Sequence, residues 1–416
     1  MPRVRGPDEE LAALLRISSV SAPDLLPADV AITLTRAGST RTALYLADYE
    51  LSGLHPLVIG ADLHTSSKPR SMNGTLAGRC FQRQEVIATE RPEGGWRVHA
   101  PVRERSERLG VIELDFPAVD DELLARCEDL GRLVGHLVHT AARYTDAIEM
   151  RRRQRNMSLT AEIQWDLLVP PLAFATREVA VAGVLEPAYE VAGDGFDYAL
   201  NGDLLDVAVL DAMGHGLSSS LASALALSAA RHGRRAGKDI VEIAASIDAA
   251  ISTQFHGETF VTGHISRLDT ATGRFRWVNA GHPNPLLVRA ARVVGELRAE
   301  PCLPFGIGIR ISEVGERVLE PGDIVLFYSD GATEARSATG EQFGDDRLIS
   351  QIEQRLGAQA PLDEVLRRLV ADVRAHRQGE LEDDVTLVAV CWMPEPGPLT
   401  HVARGATGRE DGSVRQ

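Results

Sequence analysis

The stretch EVAGDGFDYALNGDLLDVAVLDAMGHG, residues 190–216, sets two apolar-rich runs on either side of Asn201-Gly202. Asn-Gly between such runs is the strongest short-range hairpin signal, because a two-residue type I′ turn needs positive φ at both central positions. With that turn, Leu200 pairs with Asp203 and every other pair keeps the same sum of residue numbers. Asp211 then faces Ala192, and Asp194 lies two residues along on the same face. Diagonal neighbours of this kind stand about 7–8 Å apart, a separation at which two carboxylates can share cations. Asp197 falls on the opposite face, across from Asp206, unless a bulge at Gly195 re-aims it.

Two further carboxylate sites lie far along the chain. In GDIVLFYSDGATEA (322–335) an apolar strand runs into Asp330-Gly331, and in LEDDVTLVAV (381–390) Asp383-Asp384 open a strand. A single aspartate at a strand end is ordinarily a turn or cap residue. Several gathered at one sheet edge repel one another and call for a cation. Hard oxygen donors of this type select magnesium or manganese over zinc.

Outward from this core, strands are expected at 179–185, 190–200, 203–211, 260–268, 273–279, 323–329 and 384–392, with helices at 216–236, 240–254, 345–356 and 362–377. Strands in runs with helices inserted in pairs point to an antiparallel α+β layout. Before it, residues 121–168 carry a helical pattern in which Leu133, Leu137, Ala141, Tyr144 and Ile148 form a stripe, with no Gly or Pro between Gly135 and Val169. A single stiff connector helix is expected there, ending at Pro170-Pro171, and its stripe admits a homodimer. The first 130 residues read as mixed α/β, with strands at 42–47 and 111–116 and a helix at 11–17. The domain division is therefore 1–130, a connector at 131–168, a second domain at 169–394 and a disordered tail at 395–416.

The 416-residue chain carries a formal net charge of −15, which disfavours nucleic acid as a partner. Its basic run, Arg151-Arg152-Arg153-Gln154-Arg155, reads as a solvated helix face. The four cysteines, Cys80, Cys127, Cys302 and Cys391, have no paired spacing, as expected of reduced thiols. With no apolar leader and no apolar run near the ~20 residues of a membrane span, the expectation is a cytoplasmic protein without membrane insertion.

The ordered elements AGDGFDY (192–198), DAMGHG (211–216), NAGHPNPLLV (279–288), PGDIVLFYSDGATEAR (321–336) and DDVTLV (383–388) resemble the PPM-type metal-dependent serine/threonine phosphatases, in the branch of bacterial sporulation and stress-response phosphatases. The resemblance spans roughly residues 165–393. It implies a sandwich of two antiparallel sheets flanked by helices, with two Mn or Mg ions at one end and a metal-bridging water that attacks the phosphoserine or phosphothreonine phosphorus. Carried over by position, Asp194 and Asp211 are catalytic core ligands, Asp330 and Asp383 complete the metal site, and the Ala212 carbonyl contributes. Ala192 stands where the family usually has the first Gly of Gly-Gly-Asp, and Gly195 follows Asp194 in place of an aromatic. His215 and His282 sit in Gly-rich turns, each as a loop-orienting group or a proton donor, and Asn279 reads as a turn-stabilising side chain. No role is assigned to Asp384.

Residues 40–140 resemble a GAF-type sensor domain through TALYLADYE (42–50), NGTLAGRCF (73–81) and LGVIEL (109–114). A dimerisation module without a small-molecule ligand is an equal alternative there. For the whole chain the resemblance implies a sensor-controlled phosphatase acting on a phosphorylated regulatory protein, an anti-sigma-factor antagonist. The alternative is a catalytically silent binding module on the same fold. A nucleotide phosphodiesterase lacks a supporting Gly-rich fingerprint.

Overall fold

Apolar runs punctuated by turn residues become strands throughout the computed structural model, which describes residues 7–394 apart from 37, 60–67, 187–192, 301, 312, 358–359, 378–380 and 382. The tail expected at 395–416 lies outside the described residues.

In the N-terminal part, helices α1 (Pro7–Val20) and α2 (Leu26–Arg36) precede strands β1 (Arg41–Ala47), β2 (Gly53–Ile59) and β3 (Arg70–Ser71), then helix α3 (Leu76–Arg83) and strands β4 (Ile87–Glu90), β5 (Trp96–Glu104) and β6 (Glu107–Phe116). The strands form one antiparallel sheet in the order β3-β2-β1-β6-β5-β4. Helix α4 (Asp121–Ala142) starts at Asp120, whose side chain accepts from Leu123 N. Together with α1 and α2 it buries one face of the sheet, while Cys80 and Phe81 of α3 sit in the core on the other.

The single connector helix is not formed. Helix α4 ends at Ala142, α5 covers Ala147–Arg152, α6 covers Leu159–Ile163, and a π-helical turn covers Gln164–Leu168. Short polar side chains decide the breaks, because they satisfy local backbone donors that a continuous helix would use. Thr145 Oγ1 accepts from Ala147 N, and Ser158 Oγ caps α6 through Ala161 N. The apolar stripe is consumed within the chain: Leu137, Ala141 and Ile148 are buried in the core of the first sheet, and only Tyr144 is left open, at 75% exposure. The arginine run keeps Arg151, Gln154 and Arg155 exposed, as expected of a solvated face, but Arg152 and Arg153 are half-buried and several of its side chains are engaged. Arg152 lies over the Tyr49 ring and donates to Ala47 O, Arg153 pairs with Glu162, and Arg155 with Glu50.

The C-terminal part is a sandwich. In chain order it contains β7 (Ala173–Ala175), β8 (Val179–Glu186), β9 (Asp194–Asn201), β10 (Leu204–Ala212), α7 (Leu217–Arg235), α8 (Ile240–Phe255), β11 (Val261–Asp269), β12 (Arg274–Ala280), β13 (Leu286–Arg289), β14 (Arg292–Glu296), β15 (Gly315–Val318), β16 (Ile324–Tyr328), α9 (Gly331–Glu334), α10 (Asp345–Gly357), α11 (Leu362–Arg377) and β17 (Val385–Trp392). One sheet runs β15-β12-β11-β10-β9 and the other β14-β13-β16-β17-β8-β7. Their inner faces meet through Phe196, Val207, Val209 and Phe275 on one side and Val181, Phe327, Val388 and Val390 on the other. Helices α7 and α8 cover the outside of the first sheet, and α10 and α11 the outside of the second. The fold is α+β, with each predicted helix of this region present within a few residues. The short strands β7, β13, β14 and β15 are additions.

The two parts touch through buried charge. Arg108 of β6 reaches the first turn of α11, with Nε 2.5 Å from Asp363 Oδ2 and Nη1 3.3 Å from Glu364 Oε2. Among the described residues no helix is long and apolar enough to cross a membrane.

Candidate metal centre

Hairpin β9–β10 forms, two residues out of the expected register. Asn201 pairs with Leu204, so the turn is Gly202-Asp203 and Asp211 stands directly opposite Asp194. Only Gly202 has positive φ, +58°, so the turn is not type I′. Thr270 supplies the reason from outside the hairpin: its N and Oγ1 donate to Asp203 O at 2.8 and 3.1 Å. Ala192, the expected partner of Asp211, lies outside the described residues.

The shift by two preserves the faces. Asp194 and Asp211 share the inner face with Phe196 and Val209, at the end of the sandwich. Asp197 points the other way, paired with Ala208 rather than facing Asp206, and its carboxylate is held by Arg231 at 2.9 Å and Arg234 at 2.7 Å. No bulge occurs at Gly195. A Cβ there would meet Leu168 Cβ at 3.0 Å and Leu227 Cδ1 at 3.1 Å, so glycine lets the π turn and α7 close on the strand.

Asp330 follows β16 and opens the one-turn α9, where its carbonyl accepts from Thr333 N and Glu334 N. The next residue must be small, since a Cβ on Gly331 would stand 2.1 Å from Asp384 O. That close approach lays the Asp330 turn against Asp383 and Asp384. Asp384, left without a role by the sequence, is 2% exposed, and its Oδ2 accepts from Gly193 N at 2.9 Å, Asp194 N at 3.1 Å and Gln164 Nε2 at 3.0 Å. Gln164 gave no signal in the sequence beyond a polar residue in a helical stretch. The Ala212 carbonyl borders Gly193, at 3.1 Å from where a Cβ on that glycine would be.

The cluster is electrostatically strained. Burial, reinforced by Asp211 and Asp384, pushes Asp194 well above the usual carboxylate range. Burial pushes Asp211 up to about 7, with Asp330, Asp383 and Asp384 adding to it. Asp384 rises to about 6 through burial and Asp383. Asp383 is raised by burial and Asp330, and His215 works in the opposite direction. Asp194 Oδ2 and Asp384 Oδ1 are buried without any hydrogen-bond partner. Such orphaned anionic oxygens, in an all-oxygen donor set, fit a hard divalent cation. Among the described residues no three His, Cys, Asp or Glu side chains are already drawn to metal-holding spacing.

The histidines separate. His215 is exposed between Gly214 and Gly216, both at positive φ. His282 is buried, burial lowers it to about 3, and its Nδ1 stands 3.0 Å from Thr262 Oγ1, which lies 3.5 Å from Asp211 O. Burial thus favours its neutral form, and its ring packs edge-on against His264, with ring centroids 5.5 Å apart. Asn279 staples its turn, accepting from His282 N at 2.8 Å and donating to His282 O at 3.0 Å.

Residues 201–393 match the family described as Stage II sporulation protein E (SpoIIE). Protein IcfG of Synechocystis sp. is 23% identical over 240 residues, covering 50% of this chain and 37% of IcfG. Phosphoserine phosphatase RsbU of Bacillus subtilis is 21% identical over 216 residues, covering 50% of this chain and 62% of RsbU. The chain thus spans less than two thirds of either relative. Among solved structures, the RsbU and RsbW domains of Rv1364c from Mycobacterium tuberculosis are 27% identical with a TM-score of 0.46, covering 59% of this chain and 65% of that one. The matched span takes in β10 with Asp211 and the later Asp330, Asp383 and Asp384, while β9 with Asp194 lies almost wholly before it. The sandwich is thus similar to the Stage II sporulation protein E (SpoIIE) family and, in sequence, to phosphoserine phosphatase RsbU.

Proposed function

We propose that the chain is a divalent-metal-dependent protein serine/threonine phosphatase. The observation that carries this is the convergence of Asp194, Asp211, Asp330, Asp383 and Asp384, with two buried carboxylate oxygens left unpartnered. Asp194, Asp211, Asp330, Asp383 and the Ala212 carbonyl would hold two Mn or Mg ions. When bound, such ions supply positive charge for the phosphoryl oxygens and lower the pKa of water. The protein's own part is to fix the donors: Asp384 ties down the Gly193–Asp194 backbone, and Thr262 backed by His282 sits behind Asp211. A cysteine nucleophile is unsupported, since Cys80, Cys127 and Cys302 are buried and burial pushes Cys391 up to about 11.

The substrate class is phosphoserine or phosphothreonine on a regulatory protein. The name phosphoserine phosphatase carried by RsbU supports the phosphoserine half, and we take the regulatory protein to be an anti-sigma-factor antagonist. Residues 1–130 serve as the controlling sensor, supported by the Arg108 contact with α11.

The test is hydrolysis of a phosphoserine peptide by the full chain with Mn²⁺ or Mg²⁺ and with chelator. Turnover should vanish in chelator and fall at least about 100-fold in Asp330→Asn, a change that removes a direct ligand charge. Equal turnover without divalent metal overturns the assignment. Metal binding without any hydrolysis would favour the silent binding module.

A further inference from the structure

We infer that Gln164 is a positioning residue for the metal centre, and that its neighbour Trp165 ties that position to the N-terminal part of the chain; this rests on the phosphatase assignment above. Gln164 is fully buried, 30 residues before Asp194 and 220 before Asp384. Its amide nitrogen donates to Asp194 O at 3.0 Å and to Asp384 Oδ2 at 3.0 Å. Both neighbours are pure acceptors, so the chemistry fixes which end of the amide faces them. Its two N–H groups thus join the backbone of one acidic residue to the side chain of another. Without it, Asp384 Oδ2 keeps only the Gly193 and Asp194 amides, and the Asp194 carbonyl loses a donor.

The local backbone explains how a glutamine reaches this place. Residues 164–168 form a π-helical turn, a widened geometry found often at functional sites. Gln164 and Leu168 are its two buried residues, Leu168 against Gly195, while Arg231 of α7 donates to Leu167 O at 2.9 Å. The turn is held from the sandwich side at both ends. On its other side Trp165 meets Tyr49, in the segment after β1, with ring centroids 4.6 Å apart and planes inclined by 57°. Tyr49 also donates to Glu149 of α5 and lies under Arg152. One side chain therefore contacts the acidic pair, and the next in sequence contacts the β1–β2 connection of the N-terminal part. A displacement of Tyr49 is transmitted to Gln164 through a single peptide unit.

Mn²⁺ affinity of the full chain, measured by titration calorimetry and by the manganese EPR signal, tests this. The variants are Gln164→Met, Gln164→Glu, Tyr49→Ala and Trp165→Phe, each with its thermal midpoint. Gln164→Met should weaken Mn²⁺ binding about tenfold or more, the loss typical of groups that orient ligands, with kcat at saturating Mn²⁺ far less affected. Gln164→Glu should weaken it further, because a carboxylate then faces Asp384 Oδ2. Tyr49→Ala should weaken binding in the same direction by a smaller factor, and Trp165→Phe, which keeps a ring against Tyr49, should retain most of the wild-type affinity. Unchanged affinity in both Gln164 variants, with wild type binding Mn²⁺ and hydrolysing the peptide, overturns the positioning role. If Gln164→Met does not fold, unchanged affinity in Tyr49→Ala still overturns the link to the N-terminal part. Wild type that neither binds Mn²⁺ nor hydrolyses the peptide refutes the phosphatase assignment instead.

Discussion

Replacing Asp211 by Asn should stabilise the metal-free protein while abolishing its response to metal. The folded carboxyl is pushed from 3.8 to about 7 by burial and by Asp330, Asp383 and Asp384. Because the folded value lies above the unfolded one, the unfolded chain releases this proton first. Stability is then lost as pH climbs from about 4 to about 7, and the loss is complete above that. At about 1.4 kcal/mol per pH unit the interval sets a ceiling of about 4 kcal/mol at pH 8, and of about 2 kcal/mol at pH 5. Asparagine removes the charge but keeps a buried polar group, so about half of each ceiling is expected. For a domain of this size 2 kcal/mol corresponds to about 4–8 °C in melting temperature. The assay is thermal unfolding in chelator at both pH values, repeated with Mn²⁺. Wild type should gain about 2.7 kcal/mol at a hundredfold excess over its dissociation constant, and Asp211→Asn almost nothing. An Asn variant that melts at or below wild type in chelator at pH 8, or gains as much at pH 5 as at pH 8, refutes the idea that this cluster is held together against its own repulsion.

Two other substitutions separate structure from chemistry. Asp197→Asn leaves Arg231 and Arg234 without their buried partner and should cost about 2–3 kcal/mol by urea unfolding, below the loss for fully enclosed pairs, while Mn²⁺-dependent turnover persists. Arg108→Met removes the cation from Asp363 and Glu364 and should increase tryptic cleavage between the two parts with the sandwich itself intact; an unchanged digestion pattern would show that the contact does not hold them together.

The acidic strand ends were legible because Asp194, Asp211, Asp330 and Asp383 interrupt apolar runs where aspartate has no packing role. The hairpin register was not, since Asn201-Gly202 gives a correct local signal that Thr270 overrides from 67 residues away. The error was harmless to the face assignment because side chains alternate with a period of two. The connector failed for the opposite reason. A stripe free of Gly and Pro reads as one helix, but Thr145 and Ser158 end it through hydrogen bonds that periodicity does not register. Asp384 and Gln164 act through backbone amides and a carbonyl from distant segments, a kind of partnership that leaves no mark in composition or spacing.

Strand β17 sits inside its sheet, between β16 and β8, although it is the last described strand of the chain. Synthesis from the N-terminus therefore delivers β8 and β16 before the strand that separates them. Until it arrives, both present open edges, and Asp194 and Asp211 face a gap where Asp383 and Asp384 belong. A nascent or prematurely stopped chain lacks Asp383 and Asp384, two of the five aspartates of the cluster, so the acidic centre is completed only once the β17 segment has been made. The same order of arrival makes the incomplete chain the species most in need of a chaperone, since its missing strand can be replaced by that of a neighbour.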